Sequence, residues 1–290
     1  MKEYLKLIRI KHWLKNGLVF LPIFFSTNLF ETQLLVQSII AFLIFSFTSS
    51  IIYVFNDITD IEKDKLHEIK KKRPLASGKI SKWNAYIVII ILFIIDLLLS
   101  IYLYSIYDNI FVFIIPILYL LLNYLYSKGL KNIPIIDVVI LVSGFVFRVM
   151  YGGIVTGISV SKYLYLMIIF GAFYLGFGKR RNEIIKNGDR SRKVLELYNE
   201  NFLDKNMYVM LALAMVSYTL WCVDPTTTTK IENDYLFWTI PLLIIIFEQY
   251  SLNIEGNSHG DPIEVLLSDK KLFITVIIYI LVMGGIIYIL

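Results

Sequence analysis

The stretch Asn56-Asp57-Ile58-Thr59-Asp60-Ile61-Glu62-Lys63-Asp64 closes a long apolar run with three aspartates spaced three and four residues apart. Neither proline nor glycine interrupts it. Continued as a helix, it puts Asp57, Asp60 and Asp64 on one face, where bare carboxylates repel each other. Mg2+ is a natural partner, since it takes a few carboxylate oxygens and fills its octahedron with water and substrate phosphates. The spacing therefore predicts a phosphate-bearing ligand. The same residues also fit a solvated helix end, with Asp60 and Asp64 paired to Lys63, Lys65 or Lys70. Against that stands the position of Asn56 and Asp57 at the end of an apolar span, where unpaired polar groups are costly.

Two further places carry charge where it is expensive or concentrated. Arg148 lies within an apolar run, which costs about 2.5–3.5 kcal/mol on insertion scales unless the side chain meets a partner or a wet cavity. It is a candidate for binding phosphate, with a structural pair to Asp137 as the alternative. The run Lys179-Arg180-Arg181-Asn182-Glu183 follows another apolar segment. It could meet anions, or Arg181 above all could serve only to set topology. Glu183, four residues after Lys179, could orient it or add a metal ligand. Asp96 is a further charge inside a span, with a buried hydrogen bond and a functional role both open.

These groups need helices to hold them. Of the 290 residues, 57% are hydrophobic, and the mean hydropathy is +0.68. The apolar residues fall in long blocks, which is the composition of membrane-crossing helices and not of short alternating barrel strands. Nine spans are expected near Asn16–Thr27, Leu34–Phe55, Trp83–Tyr104, Ile110–Tyr126, Ile133–Ile154, Tyr163–Gly178, Met207–Val223, Leu236–Tyr250 and Leu272–Leu290. Pro22 sits within the first, which begins in the amphipathic stretch Tyr4–Trp13. No cleavable leader is expected. Of the 28 Lys and Arg residues, 25 fall in the N-terminal segment and the loops after spans two, four, six and eight. Basic residues are retained in the cytoplasm during insertion. The N-terminus is thus expected in the cytosol and the C-terminus outside.

With one cysteine, Cys222, the chain has no intramolecular disulfide and no cysteine metal cluster. His12, His67 and His259 are scattered through polar or interfacial segments. His67 alone is near the aspartates. The net charge of +5 gathers on one face, suited to anionic lipids or an anionic substrate.

Asn56-Asp57-x-x-Asp60-x-x-x-Asp64, followed by Lys72-Arg73-Pro74-Leu75-Ala76-Ser77-Gly78, resembles the first motif of the UbiA superfamily of intramembrane prenyltransferases. Five further segments look like its decaprenyl-phosphate phosphoribosyltransferase branch. They are Trp13-Leu14-Lys15-Asn16, Tyr126-Ser127-x-Gly129-Leu130-Lys131, Ile136-Asp137, Arg148-x-x-x-Gly152-Gly153 and Gly178-Lys179-Arg180-x-x-Glu183. The usual second aspartate pair after span six is missing, with only Asp189 nearby. One acidic and one basic pole suit two phosphate-bearing substrates.

The resemblance implies an all-α membrane protein, a single UbiA-like domain over residues 1–290, with nine helices around a central cavity open to the cytosol. It implies Mg2+-dependent transfer of phosphoribosyl from phosphoribosyl pyrophosphate to a polyprenyl phosphate. Asp57, Asp60 and Asp64 are the expected metal ligands, with Asp57, Asp60, Arg148 and Lys179 at the chemistry. Lys15, Asn16, Asn56, Arg73, Lys128, Arg180 and Glu183 are expected to bind substrate. No nucleic-acid partner is expected, and a homo-oligomer is compatible with the sequence. Two alternatives remain: a conventional prenyltransferase joining an isoprenoid diphosphate to an aromatic or glycerol-type acceptor, and a non-enzymatic carrier with the same helices.

Overall fold

The computed structural model describes residues 1–66, 70–187, 193–256 and 262–290. In chain order its α-helices are α1 (Lys2–Leu7), α2 (Leu21–Phe24), α3 (Thr32–Thr59), α4 (Ile61–Leu66), α5 (Lys82–Tyr107), α6 (Phe111–Lys128) and α7 (Ile136–Thr156). They continue with α8 (Lys162–Asn187), α9 (Glu200–Val223), α10 (Pro225–Ile231), α11 (Ile240–Glu255), α12 (Pro262–Ser268) and α13 (Lys270–Tyr288). No strand occurs among the described residues. Seven helical stretches there are long and apolar enough to cross a membrane: α3, α5, α6, α7, α9, α13, and Tyr235–Glu255, where a 3-10 turn leads into α11.

Two of the expected spans take a different form. Residues Ile10–Phe20 form a 3-10 helix, followed by the four-residue α2. Pro22 has no N–H to donate, and side chains fix the segment sideways: Trp13 Nε1 donates to Ser50 Oγ at 3.0 Å, and Asn16 Nδ2 to Ser46 Oγ at 3.0 Å. Helix α8 has 26 residues, but its last third carries Lys179, Arg180, Arg181 and Glu183, so it is less apolar than the seven.

The chain divides into two compact units. The first comprises residues 1–21, 31–128 and 147–157, and the second residues 22–30, 129–146 and 158–290.

In the first unit, α3 is the inner helix, with 56% of its apolar window buried against 22% for α5 and α6. The latter two turn Ile, Leu and Phe side chains outward, as lipid-facing helices do. Val19, Ala41, Ile44, Phe45, Leu103 and Tyr151 are fully buried together. Thr48 Oγ1 donates to Asp96 Oδ2 at 2.8 Å, joining α3 to α5. Such interhelical bonds contribute about 0.6 kcal/mol on average within a membrane. A second cluster, Leu7, Val54, Ile58, Ile61, Leu75 and Ile80, packs beneath the aspartate motif and holds α4 and the following turn.

In the second unit α8 packs on α9 and on the first half of α7. A Cβ at Gly176 would come within 2.7 Å of Val138 Cγ1, so only glycine permits this approach. The hydroxyls of Tyr174 and Ser251 lie 2.6 Å apart, tying α8 to α11. Asp269 caps α13 by accepting from the N–H groups of Lys271 and Leu272, and Asn253 donates to its other oxygen at 2.6 Å.

Candidate active site

Helix α3 carries the motif without a break as far as Thr59. Asp60 leaves the helical region (φ −101°, ψ 9°), and α4 resumes at Ile61 with the Asp64 N–H donating to the Asp60 carbonyl at 2.8 Å. Asp57 and Asp64 are buried and face one guanidinium. Arg73 Nη1 donates to Asp57 Oδ1 at 3.0 Å and to Asp64 Oδ2 at 2.7 Å. Arg9 Nη2 donates to the same Asp57 oxygen at 2.6 Å, with its guanidinium carbon 4.7 Å from the centre of the Tyr53 ring. Asn56 accepts from Ser127 Oγ at 2.8 Å, which fixes its amide against α6.

Asp60 is half-buried and has no side-chain hydrogen bond or ion pair among the described residues, where no group of three His, Cys, Asp or Glu side chains converges on a metal position. The expected three-carboxylate face is here a two-carboxylate pair bridged by Arg73. The break at Asp60, after which the helix restarts, separates that residue from the pair.

The pair nevertheless fits Mg2+. Two buried carboxylate oxygens already converge on a single cationic nitrogen, and Mg2+ characteristically takes one or two carboxylates plus phosphate oxygens. Two buried carboxylates without a cation would be prohibitive.

Arg148, 5% exposed, meets two neutral groups of the same unit. Its Nε donates to Asn16 Oδ1 at 2.7 Å and its Nη2 to the Tyr119 hydroxyl at 3.1 Å. The guanidinium also stacks 5.0 Å from the Tyr119 ring centre. Lys15 is half-buried, and exposed Lys128 has its ammonium 5.5 Å from the Tyr124 ring centre.

In the second unit Arg180 has no exposed surface. Its Nε donates to Asp137 Oδ2 at 2.5 Å and its Nη1 to Glu183 Oε2 at 2.7 Å. The other Asp137 oxygen accepts from the Tyr198 hydroxyl at 2.7 Å, and that hydroxyl in turn accepts from the Ile135 N–H at 2.5 Å. Ile135 has φ 69°, a left-handed conformation that is rare for a β-branched residue, and the Tyr198 hydroxyl holds it there. Arg180 is thus enclosed by carboxylates instead of being offered to a phosphate, and Asp137 takes Arg180, not Arg148. Arg181 pairs with Asp204, and Lys179, preceding both arginines, is half-buried. His67, His259 and Asp189 lie outside the described residues.

Burial, more than the acidic Asp137 beside it, raises the Tyr198 hydroxyl above its ordinary value of 10.0, while the Ile135 N–H partly offsets this. Below pH 10 the phenol is neutral in folded and unfolded chains alike. Above it, the unfolded chain loses the proton first, so stability falls as pH rises toward the folded value. The unfolding temperature of the wild type is expected to drop more steeply above about pH 10 than that of Tyr198→Phe. Parallel pH profiles of the two proteins would remove Tyr198 from this role.

Sequence reasoning missed Arg9, Tyr119 and Tyr198. Arg9 was counted only toward topology, and its left-handed backbone (φ 53°) has no sequence signal. The two tyrosines are among 20.

Residues 19–277 match the UbiA prenyltransferase family. Decaprenyl-phosphate phosphoribosyltransferase of Corynebacterium glutamicum is 34% identical over 275 residues, covering 92% of this chain and 81% of the relative. The enzyme of that name from Mycolicibacterium smegmatis is 30% identical over 299 residues, covering 98% and 92%. The solved structure of a UbiA homolog from Archaeoglobus fulgidus bound to DMAPP and Mg2+ is similar with a TM-score of 0.69 at 18% identity, covering 99% of this chain and all of that one.

Proposed function

This chain belongs to the UbiA prenyltransferase family, and from that premise we propose that it transfers 5-phosphoribosyl from phosphoribosyl pyrophosphate to a polyprenyl phosphate. An acceptor phosphate oxygen bonds to the anomeric carbon as the bond from that carbon to pyrophosphate breaks, and pyrophosphate departs with the electron pair. The observation that carries this assignment is the near end-to-end similarity to two decaprenyl-phosphate phosphoribosyltransferases. The run Lys179–Glu183, basic where a second aspartate pair would hold a diphosphate, supports it.

A phosphate monoester has its second pKa near about 6, so the acceptor is largely dianionic at neutral pH and needs no dedicated base. The chain's task is to hold two anions and stabilise the leaving group. Asp57 and Asp64 would hold Mg2+, with Asp60 as a further ligand from the neighbouring turn, and the ion would neutralise charge developing on pyrophosphate. Arg9 and Arg73 pair with these carboxylates, and Arg73, shared between the two, would meet the phosphates of the donor. Asn56 and Lys128 border this acidic pole. Arg148, aimed by Asn16 and Tyr119, meets a phosphate with Lys15. Lys179 contributes a cation from α8, and Arg180 with Glu183 positions the turn of helix that carries it.

The membrane setting belongs to the same proposal: one UbiA-like domain with nine crossings, the N-terminus and the phosphate chemistry on the cytosolic side, and the C-terminus outside. The two crossings beyond the seven are the Ile10–Phe24 segment and α8.

Arg148→Lys keeps the charge but cannot reproduce the planar fork. It is expected to lower kcat/KM by about tenfold or more. Wild-type kinetics in this variant would take Arg148 away from the phosphates. The assignment itself is tested with purified protein, labelled phosphoribosyl pyrophosphate, Mg2+ and polyprenyl phosphate. Label is expected in the organic phase in equal amount to the pyrophosphate released, with neither appearing after chelation. Pyrophosphate release without labelled lipid would refute the acceptor.

A further inference from the structure

At the end of α8 remote from Lys179, the second unit contains a cavity of about 170 Å³ that takes no part in the proposed reaction. Lys162 and Lys179 are 17 positions apart on the helix, roughly 25 Å at 1.5 Å per residue. Its lining combines apolar side chains, among them Phe25, Leu164 and Trp221, with the polar Ser159, Ser161 and Lys230. We infer that this cavity binds the phosphodiester of a phospholipid headgroup.

Three observations point to an oxyanion. Lys230 makes no ion pair among the described residues, although it lines the cavity. The hydroxyls of Ser159 and Ser161 make no side-chain hydrogen bond there, leaving two donors beside the ammonium. Partial desolvation also lowers the basicity of Lys230, a largely exposed residue, so a nearby anion would stabilise its charged form. Glu232 and Asp234, the nearest carboxylates in sequence, make no ion pair with Lys230 among the described residues, and Asp224 is engaged through Oδ2 by the hydroxyls of Thr226 and Thr227.

Two more observations favour a lipid over free phosphate. The cavity joins the C-terminal end of membrane-length α9 to the start of α8, the depth at which headgroups lie. Its lining also includes the apolar side chains of Phe25, Leu164 and Trp221, which suit hydrocarbon and offer nothing to a free ion. A cation and hydroxyls sharing one cavity with apolar side chains match a headgroup phosphate and the first part of its acyl chains.

The test uses the full-length protein in detergent and phosphatidylglycerol carrying a photoreactive group next to its phosphate, with labelled peptides identified by mass spectrometry. Label is expected within residues 221–231, falling about fivefold in Lys230→Gln as one headgroup-facing cation is lost. Lys230→Arg should restore it, which separates loss of the cation from misfolding. Millimolar inorganic phosphate should not displace it, and a diacylglycerol probe lacking phosphate should not label the segment. Equal labelling in Lys230→Gln overturns the site. Displacement by inorganic phosphate overturns the lipid and makes free phosphate the ligand.

Discussion

Asp57→Asn is expected to lower phosphoribosyl transfer by about 10²–10³-fold, the usual loss when one group stabilising a transition state is removed. A single oxygen of Asp57 accepts from both Arg9 and Arg73. That oxygen is also half of the pair converging on the cation position. The amide removes the charge but keeps the volume, so α3 and its packing should survive. Asp64→Asn should cost a similar factor and move the Mg2+ dependence to higher concentration. Asp60→Asn should cost less, because Asp60 lies outside the pair bridged by Arg73. Initial rates against Mg2+ for the three variants would order these residues. Asp57→Asn with wild-type turnover would mean the buried pair is merely structural.

The second large effect is on stability. Arg180→Met leaves the fully buried Asp137 and the partly buried Glu183 facing an uncharged side chain. Breaking such a pair from one side costs about 3–5 kcal/mol. Thermal unfolding in detergent should show a large drop for Arg180→Met and a much smaller one for Arg181→Met, since Arg181 pairs at the edge with Asp204. The double variant Arg180→Met, Asp137→Leu should regain part of the loss, since replacing both charges removes the orphaned carboxylate. Arg180→Lys should recover little, as one ammonium cannot reach two carboxylates with the geometry of a guanidinium. Arg180→Met at wild-type stability with impaired transfer would return Arg180 to the phosphates.

The helices were legible because apolar blocks about 20 residues long leave few alternatives, and Asp57 and Asp64 because their seven-residue spacing survives a one-residue break. The break at Asp60 was not legible, since no proline or glycine announces it. Nor was the closure of Arg180. Its sequence neighbours Lys179 and Arg181 suggest a basic face, but its partner Asp137 is 43 residues away on another helix. Charge in a sequence marks where ions are held, and only packing decides whether the counter-ion is a side chain or a substrate. Arg148, an arginine in an apolar run, directs its Nε and Nη2 to the neutral oxygens of Asn16 and Tyr119, partners its sequence neighbours do not announce.

Donor choice separates phosphoribosyl transfer from ordinary prenyl transfer most directly. Purified protein would receive Mg2+ and either labelled phosphoribosyl pyrophosphate with polyprenyl phosphate, or a labelled isoprenoid diphosphate with aromatic and glycerol-type acceptors. Organic-phase label from the first pair alone, absent in Asp57→Asn, is the predicted result. Product from the isoprenoid diphosphate, with none from phosphoribosyl pyrophosphate across several lipid lengths, would contradict it.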